Sequence, residues 1–350
     1  MTDTKTAVRV LVVTGAGGVG KSTVSAAIAA RRACNDGERV LLITVDPARR
    51  LAASMGVIAE GNDIVEVGGG AAPFWVSMLD TQRGWDALVE RVAPDDRTAR
   101  RILSNGLYRN ITSRFVNSHD YIAIERLWEV VRSGRFDTVV VDTPPSRNAL
   151  SVIDAAPRMR EFFASRLLRW LTLPSSNRVV ALTSRPFFFV ADRVLGARFL
   201  SDVAEFFALF RLMEPSFTAH ASEVESMLRA DTTDFVVVTT AEPVPVAEAD
   251  HLVTELRARN LRLSAVVFNR LIDEETKSEA RSVVGSVTDR TLSVAIDGIL
   301  ATVAAEDRIV NDVESRHRCP VVRIGETDSP VNDVAGVRNL GEALGTALVT

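Results

Sequence analysis

The sequence predicts an α/β fold: a mostly parallel sheet covered by helices, with an α-helical subdomain inserted between its strands. Two observations carry this expectation. Short runs rich in Val, Ile and Leu recur along the chain, most of them separated by helical stretches. Two longer stretches, about 81–134 and 150–230, break that alternation and read as helix throughout. Strands buried on both faces of a parallel sheet lose the alternation of apolar and polar residues and become continuous apolar runs. Alternating strand and helix signals then imply parallel crossovers.

The elements follow in order. Residues 8–14 form a β-branched apolar run that leads into Gly15, and 20–34 are Ala-rich and helical. Residues 39–45 and 74–80 are the next strand candidates. The runs 136–142, 234–240, 262–269 and 319–324 repeat the pattern. In 158–171, Met159, Phe162, Phe163, Leu167, Trp170 and Leu171 share one helical face. In 199–217, Phe199, Val203, Phe206, Phe207, Phe210, Met213 and Phe217 form a wide apolar stripe. The expected organisation is one domain over 1–350, its core about 1–80, 135–150 and 231–350, with the helical subdomain inserted about 81–134 and 150–230.

Composition narrows the function classes. The chain has 350 residues, 47% of them hydrophobic and 25% charged, and a net charge of -4. That balance argues against a dominant basic surface, so no nucleic-acid partner is expected. No run of about 18 apolar residues occurs, so a membrane would be met only indirectly. Met1 to Thr6 is polar and no secretion-signal pattern follows, which makes the cytoplasm the expected location. The two cysteines, Cys34 and Cys319, lie far apart and outside any CxxC, so a zinc site or an iron–sulfur cluster within one chain is not expected. Lysine occurs only at Lys5, Lys21 and Lys277; the other basic residues are arginine. A lysine kept where arginine is otherwise the rule points to a need for a compact point charge.

Lys21 lies in a motif. Gly15-Ala16-Gly17-Gly18-Val19-Gly20-Lys21-Ser22 fits G-x-x-x-x-G-K-[ST], and it follows a strand and opens a helix. This is a phosphate loop of the P-loop NTPase type, for which the ligand is ATP with Mg²⁺. Gly15, Gly17, Gly18, Val19 and Gly20 let backbone N–H groups surround the phosphates, and the helix N-terminus adds its positive dipole. Lys21 is expected on the β- and γ-phosphates, Ser22 on the Mg²⁺ and Thr23 near the α-phosphate. Asp142 ends the run 136–142, where an acid beside the loop holds the metal through water. Asp46, followed by Pro47, reads equally well as a carboxylate for the attacking water or as a helix cap before proline.

The segments TGAGGVGKST (14–23), TVDPARRLAASMG (44–56), VDTPPSRNALSVID (141–154) and VVFNR (266–270) together resemble the ArsA-type anion-pump and tail-anchored-protein-targeting ATPases, a branch of the SIMIBI-class P-loop proteins. The resemblance implies that Asp46 is the switch I aspartate that positions the hydrolytic water. It implies that Asp142 is the switch II aspartate, followed by the switch segment Thr143, Pro144 and Pro145. It implies that Asn269 contacts adenine, and that the other wall of the base pocket lies within 321–337. It also implies a dimer that closes around ATP and opens after hydrolysis, and, in the targeting branch, a hydrophobic groove for a client helix.

Three departures qualify that picture. The family loop begins G-K-G-G, and its first lysine reaches the partner's phosphates; this chain has Ala16 there. The zinc CxxC of the eukaryotic targeting ATPases and the metalloid-binding cysteine trio of the pump ATPases are both missing. Turnover by this chain alone is therefore an open expectation. The partner is a second copy in which Arg49, Arg50 or Arg147 supplies the charge, or a paralogue that keeps the lysine. The aromatic helices and the run Phe187 to Val190 serve either as a groove for a hydrophobic client helix or as the subdomain's own core. A pump motor and a MinD- or ParA-like organiser are the alternative functions. The organiser would want a basic amphipathic tail, and Arg338 to Thr350 carries a single Arg and a single Glu.

Overall fold

The computed structural model describes residues 7–45, 62–68, 72–108, 118–143, 197–327 and 333–344, with single positions 154, 157, 161 and 331; for 118–120 and 197–204 it describes the backbone only. The chain divides into two compact units. One comprises Met1–Leu79, Leu127–Leu150 and Leu228–Thr350, the other Asp80–Arg126 and Ser151–Met227.

The first unit is built on an eight-stranded sheet. Its strands are β1 (Arg9–Gly15), β2 (Val40–Thr44), β3 (Ile64–Val67), β4 (Phe74–Met78), β5 (Thr138–Asp142), β6 (Thr233–Thr239), β7 (Leu263–Leu271) and β8 (Val321–Gly325). They lie in the order β3-β4-β2-β5-β1-β6-β7-β8. Every neighbouring pair is parallel except β3 and β4. The expected mostly parallel α/β fold is thus observed. The pattern of apolar runs missed one strand, β3. It is four residues long, sits at the sheet edge and keeps Glu66 exposed. Short, charged edge strands suit a sheet edge because they resist further pairing, and they leave little apolar signal.

Among the described residues, the helices wholly within this unit are α1 (Lys21–Asn35), α7 (Pro243–Ala258), α8 (Glu274–Val283), α9 (Arg290–His317) and α10 (Val334–Ala343). One sheet face, with Leu11, Val13, Leu42, Val140, Val236 and Val267, packs under α1 and α10. Residues of the other alternation, such as Val10, Val12, Val139, Val141 and Val237, are buried too. Both faces are therefore covered, and that is why the strands read as unbroken apolar runs. The small side chains Ala26, Ala27, Ala29, Ala30 and Ala33 let α1 lie close to its neighbours. Where α10 crosses it, a Cβ on Gly341 would sit 2.8 Å from the Ala27 carbonyl oxygen.

The second unit holds α2 (Thr81–Val92), α3 (Asp96–Ser104), α5 (Ala197–Leu212) and most of α6 (Glu214–Leu228); α4 (Ser118–Ser133) begins in it. Tyr121 stacks between Trp85 and Phe217, and Phe206 stacks on Phe210. Phe206, Phe210, Met213 and Phe217 are buried, and Phe207 is half-buried. The described part of the 199–217 stripe is thus spent on the unit's own core. Buried Glu125 accepts from the Tyr121 hydroxyl at 2.6 Å, lies 2.5 Å from His220 Nε2 and pairs with Arg91. The 158–171 helix face and the run Phe187 to Val190 lie outside the described residues.

Candidate functional site

The order of the sheet places a crevice at the carboxyl end of β1. From β1 the chain goes to β2 on one side, while β6 pairs on the other. In open α/β sheets such a switch point is where ligands bind. At this end β1 runs into the glycine loop of residues 15–20.

The loop's shape depends on two glycines. Gly15 has φ 149°, and a Cβ there would lie 2.1 Å from the Val238 carbonyl oxygen of β6. Gly20 has φ 92°, and a Cβ there would lie 2.3 Å from Asn269 Nδ2. Any side chain at either place would collide with a neighbouring strand and strain the backbone. Lys21 turns back into the loop. Its ammonium donates to the carbonyl oxygens of Gly15 at 3.0 Å and Ala16 at 2.8 Å, and it is 6% exposed.

Helix α1 begins differently from most of its neighbours. Its N-cap is Gly20, with no side-chain cap and no acid in the first turn. By contrast, α2, α3, α8, α9 and α10 start at Asp80, Asp95, Asp273, Asp289 and Asp333. In each of those the carboxylate accepts from a first-turn N–H, at 2.7–3.0 Å. The first-turn donors of a helix need an acceptor, and the dipole favours an anion there. At α1 a buried cation and a helix N-terminus without its own carboxylate face the loop together. That charge pattern fits the phosphates of ATP, and the half-buried Ser22 and Thr23 stand in the same turn.

Two acids were expected beside the loop. Asp142 ends β5, is 1% exposed, and accepts from the Thr44 hydroxyl at 3.0 Å on Oδ2. Thr143 follows, its hydroxyl donating to the Val13 carbonyl at 2.8 Å. A buried carboxylate next to the phosphate loop is a chemically suitable partner for Mg²⁺, a hard cation that prefers oxygen. Asp46 lies outside the described residues, as do Pro144, Pro145, Arg49, Arg50 and Arg147.

Asn269 closes the unbroken buried run of β7, and its side-chain amide donates to the Val19 carbonyl at 2.9 Å. It therefore braces the phosphate loop from the side. Beyond it, Glu326 N donates to Leu271 O at 2.7 Å, so the segment leaving β8 is tied to the end of β7. Gly17 and Gly18 stay exposed at the loop's tip. Ala16, in the place of the family's lysine, is 5% exposed. Thr44 and the loop-bracing contact of Asn269 were not legible in the motifs, because both depend on strand register.

Comparison with known proteins agrees with this geometry. Residues 8–287 match the family model described as anion-transporting ATPase. An uncharacterized protein of Streptomyces coelicolor, SCO2128, is 31% identical over 280 residues, covering 78% of this chain and 65% of that protein. The ATPase get3 of Aspergillus terreus is 26% identical over 274 residues, covering 77% of this chain and 75% of that protein. A protein of Aquifex aeolicus named for an arsenical pump-driving ATPase is 24% identical over 275 residues, covering 77% and 83%. Among the described residues no helix is long and apolar enough to cross a membrane. With four fifths of its length matched, the chain belongs to the anion-transporting ATPase family.

Proposed function

We propose that this chain is a Mg²⁺-dependent ATP hydrolase that works as a dimer, closing around ATP and opening after hydrolysis to bind and release a partner. The observation that carries the ATPase reading is the start of α1: a helix N-terminus without a carboxylate cap, wrapped by a glycine loop that holds the buried Lys21 ammonium. In this reading the loop N–H groups of residues 15–20 and Lys21 bind the phosphates, with Thr23 beside them. Ser22 and, through water, Asp142 hold the metal. Bound Mg²⁺ supplies charge neutralisation at the phosphate oxygens. Asp46 orients the attacking water, and Asn269 contacts adenine from its place on Val19.

The partner class is the finer part of the reading. Resemblance to the targeting branch favours a hydrophobic or tail-anchored protein segment. Phe206, Phe210 and Phe217 are committed to the core, so such a segment would have to use other surfaces of the helical unit. A pump that moves metalloid on thiolates is the weaker reading, since the sequence holds only Cys34 and Cys319.

Ala16 makes the dimer testable. A cation reaching the partner's phosphates is worth about 10³-fold or more in related phosphoryl transfers. ATP hydrolysis is therefore measured against chain concentration, for the native protein and for Ala16→Lys. Steep concentration dependence, unchanged by the added lysine, supports a homodimer that draws its charge from an arginine. Slow turnover restored by the lysine supports pairing with a lysine-bearing paralogue. A rate per chain that is flat with concentration in both proteins, with light scattering showing a monomer in Mg-ATP, contradicts the dimer.

A further inference from the structure

Strand register brings together two residues that lie 98 positions apart. Thr44 ends β2 and Asp142 ends β5, and the two strands are parallel neighbours in which Thr44 stands opposite Asp142. Opposed residues in a parallel pair point to the same face. Here that face also carries Val13 of β1, opposite Asp142 on the other side. The Thr44 hydroxyl donates to Asp142 Oδ2 at 3.0 Å, and the two residues are 2% and 1% exposed.

Asp142 is held from β2, and the residue after it from β1. On the β2 side, Val45 N donates to its carbonyl oxygen at 3.3 Å while Thr44 holds the carboxylate. On the β1 side, the backbone and hydroxyl of Thr143 both donate to the Val13 carbonyl, at 3.3 and 2.8 Å. Two residues beyond Val13 the phosphate loop begins. A β-branched residue in a strand has few χ1 choices, so the hydroxyl holds its direction at little entropic cost. A donor fixed on one carboxylate oxygen fixes the plane of the whole carboxylate.

The geometry points to Thr44 as the positioning residue of the divalent-cation site: its hydroxyl orients the Asp142 carboxylate and so sets the affinity for Mg²⁺, not the affinity for the nucleotide. This rests on the ATPase reading above. Thr44 touches neither nucleotide nor metal in this account; it acts only through Asp142. A Val-rich sheet would tolerate an apolar residue of the same shape at position 44 if the hydroxyl served packing alone. Valine is the isosteric replacement.

The test uses the full chain and a fluorescent methylanthraniloyl-ATP. Binding is followed by anisotropy in EDTA and then across a Mg²⁺ titration, for the native protein, Thr44→Val, Thr44→Ala and Thr44→Ser. The two hydroxyl-free variants guard against one of them failing to fold, which circular dichroism checks. The expected result is an affinity in EDTA within about twofold of native, with the Mg²⁺ half-point raised about tenfold, the scale of one hydrogen bond to a charged group. Thr44→Ser should bring the half-point back to within about threefold of native, because it returns the donor without the methyl. An unchanged Mg²⁺ half-point in the hydroxyl-free variants overturns the proposal, and so does an equal loss of affinity in EDTA. If the native chain binds no nucleotide in either condition, the ATPase reading itself falls and this assignment falls with it.

Discussion

Helix α1 and helix α9 satisfy their first turns in opposite ways. At α9, Asp289 caps the Leu292 N–H with its own carboxylate at 2.9 Å. At α1, Gly20 has no side chain to offer, and the loop before it holds a buried ammonium instead of an acid. The first arrangement is complete within the chain. The second supplies no carboxylate of its own to the first turn. The dipole of a helix start favours an anion, so the contrast bears directly on the proposed phosphate site at α1.

Four substitutions would break or sharpen that contrast. The largest effect is expected at the loop cation. Lys21→Ala should lower ATP hydrolysis about a hundredfold or more, the scale of losing one preorganised donor to developing charge. Steady-state phosphate release at saturating Mg-ATP measures it, and a loss under tenfold would place the binding charge elsewhere.

Next comes the glycine that keeps α1 open. Gly20→Ala forces a Cβ to within 2.3 Å of Asn269 Nδ2 at φ 92°. A strained residue of that kind costs about 1–3 kcal/mol, read as a shift of the urea midpoint. The same variant should lose nucleotide affinity, because relief of the clash must displace Asn269 or the loop. Full affinity with unchanged stability would show that the loop relaxes freely.

The matching change at α9 is smaller and touches stability alone. Asp289→Ala should cost about 1 kcal/mol, the usual loss of an N-cap, with ATP affinity unchanged. Urea denaturation beside nucleotide titration separates the two readouts.

The smallest effect is a pH dependence. Backbone and side-chain hydrogen bonds from Thr98 hold the Asp95 carboxyl below its ordinary value, and Thr276 does the same for Asp273. A carboxyl whose folded-state pKa is depressed adds stability above its unfolded pKa, and loses it as pH falls through the folded value. The two caps should therefore weaken progressively below about pH 4. Asp95→Asn keeps a capping oxygen that does not titrate, so its stability should fall less steeply over that window. Equal slopes for native and variant chains would remove Asp95 from the acid response.

Much of this was readable from the chain because the strongest signals are local. A fully buried parallel strand must be apolar along its whole length, so β1, β2, β5 and β6 stand out as Val- and Leu-rich runs. The phosphate loop is a contiguous motif in which Gly15 and Gly20 are demanded by φ and by close approach to β6 and Asn269. What stayed hidden depends on register or on edges. β3 pairs along one edge only, and its four residues carry too little apolar pattern to separate it from a loop. Thr44 reads as an ordinary strand threonine until β2 and β5 are laid side by side. Asn269 was read from family resemblance as an adenine contact; its amide on Val19 O is seen only once β7 and the glycine loop are placed in space. The aromatic stripe of α5 allowed two readings, core or groove, because a helix's apolar face looks the same whichever surface covers it.

The account is tested most directly by isothermal titration of Mg-ATP into the native chain and into Lys21→Ala, each first shown to be folded by circular dichroism. Saturable binding by the native chain, lost or weakened at least about tenfold without the ammonium, is the predicted result. Equal binding by both proteins, or none by the native chain, would contradict the claim that the uncapped start of α1 is the phosphate site.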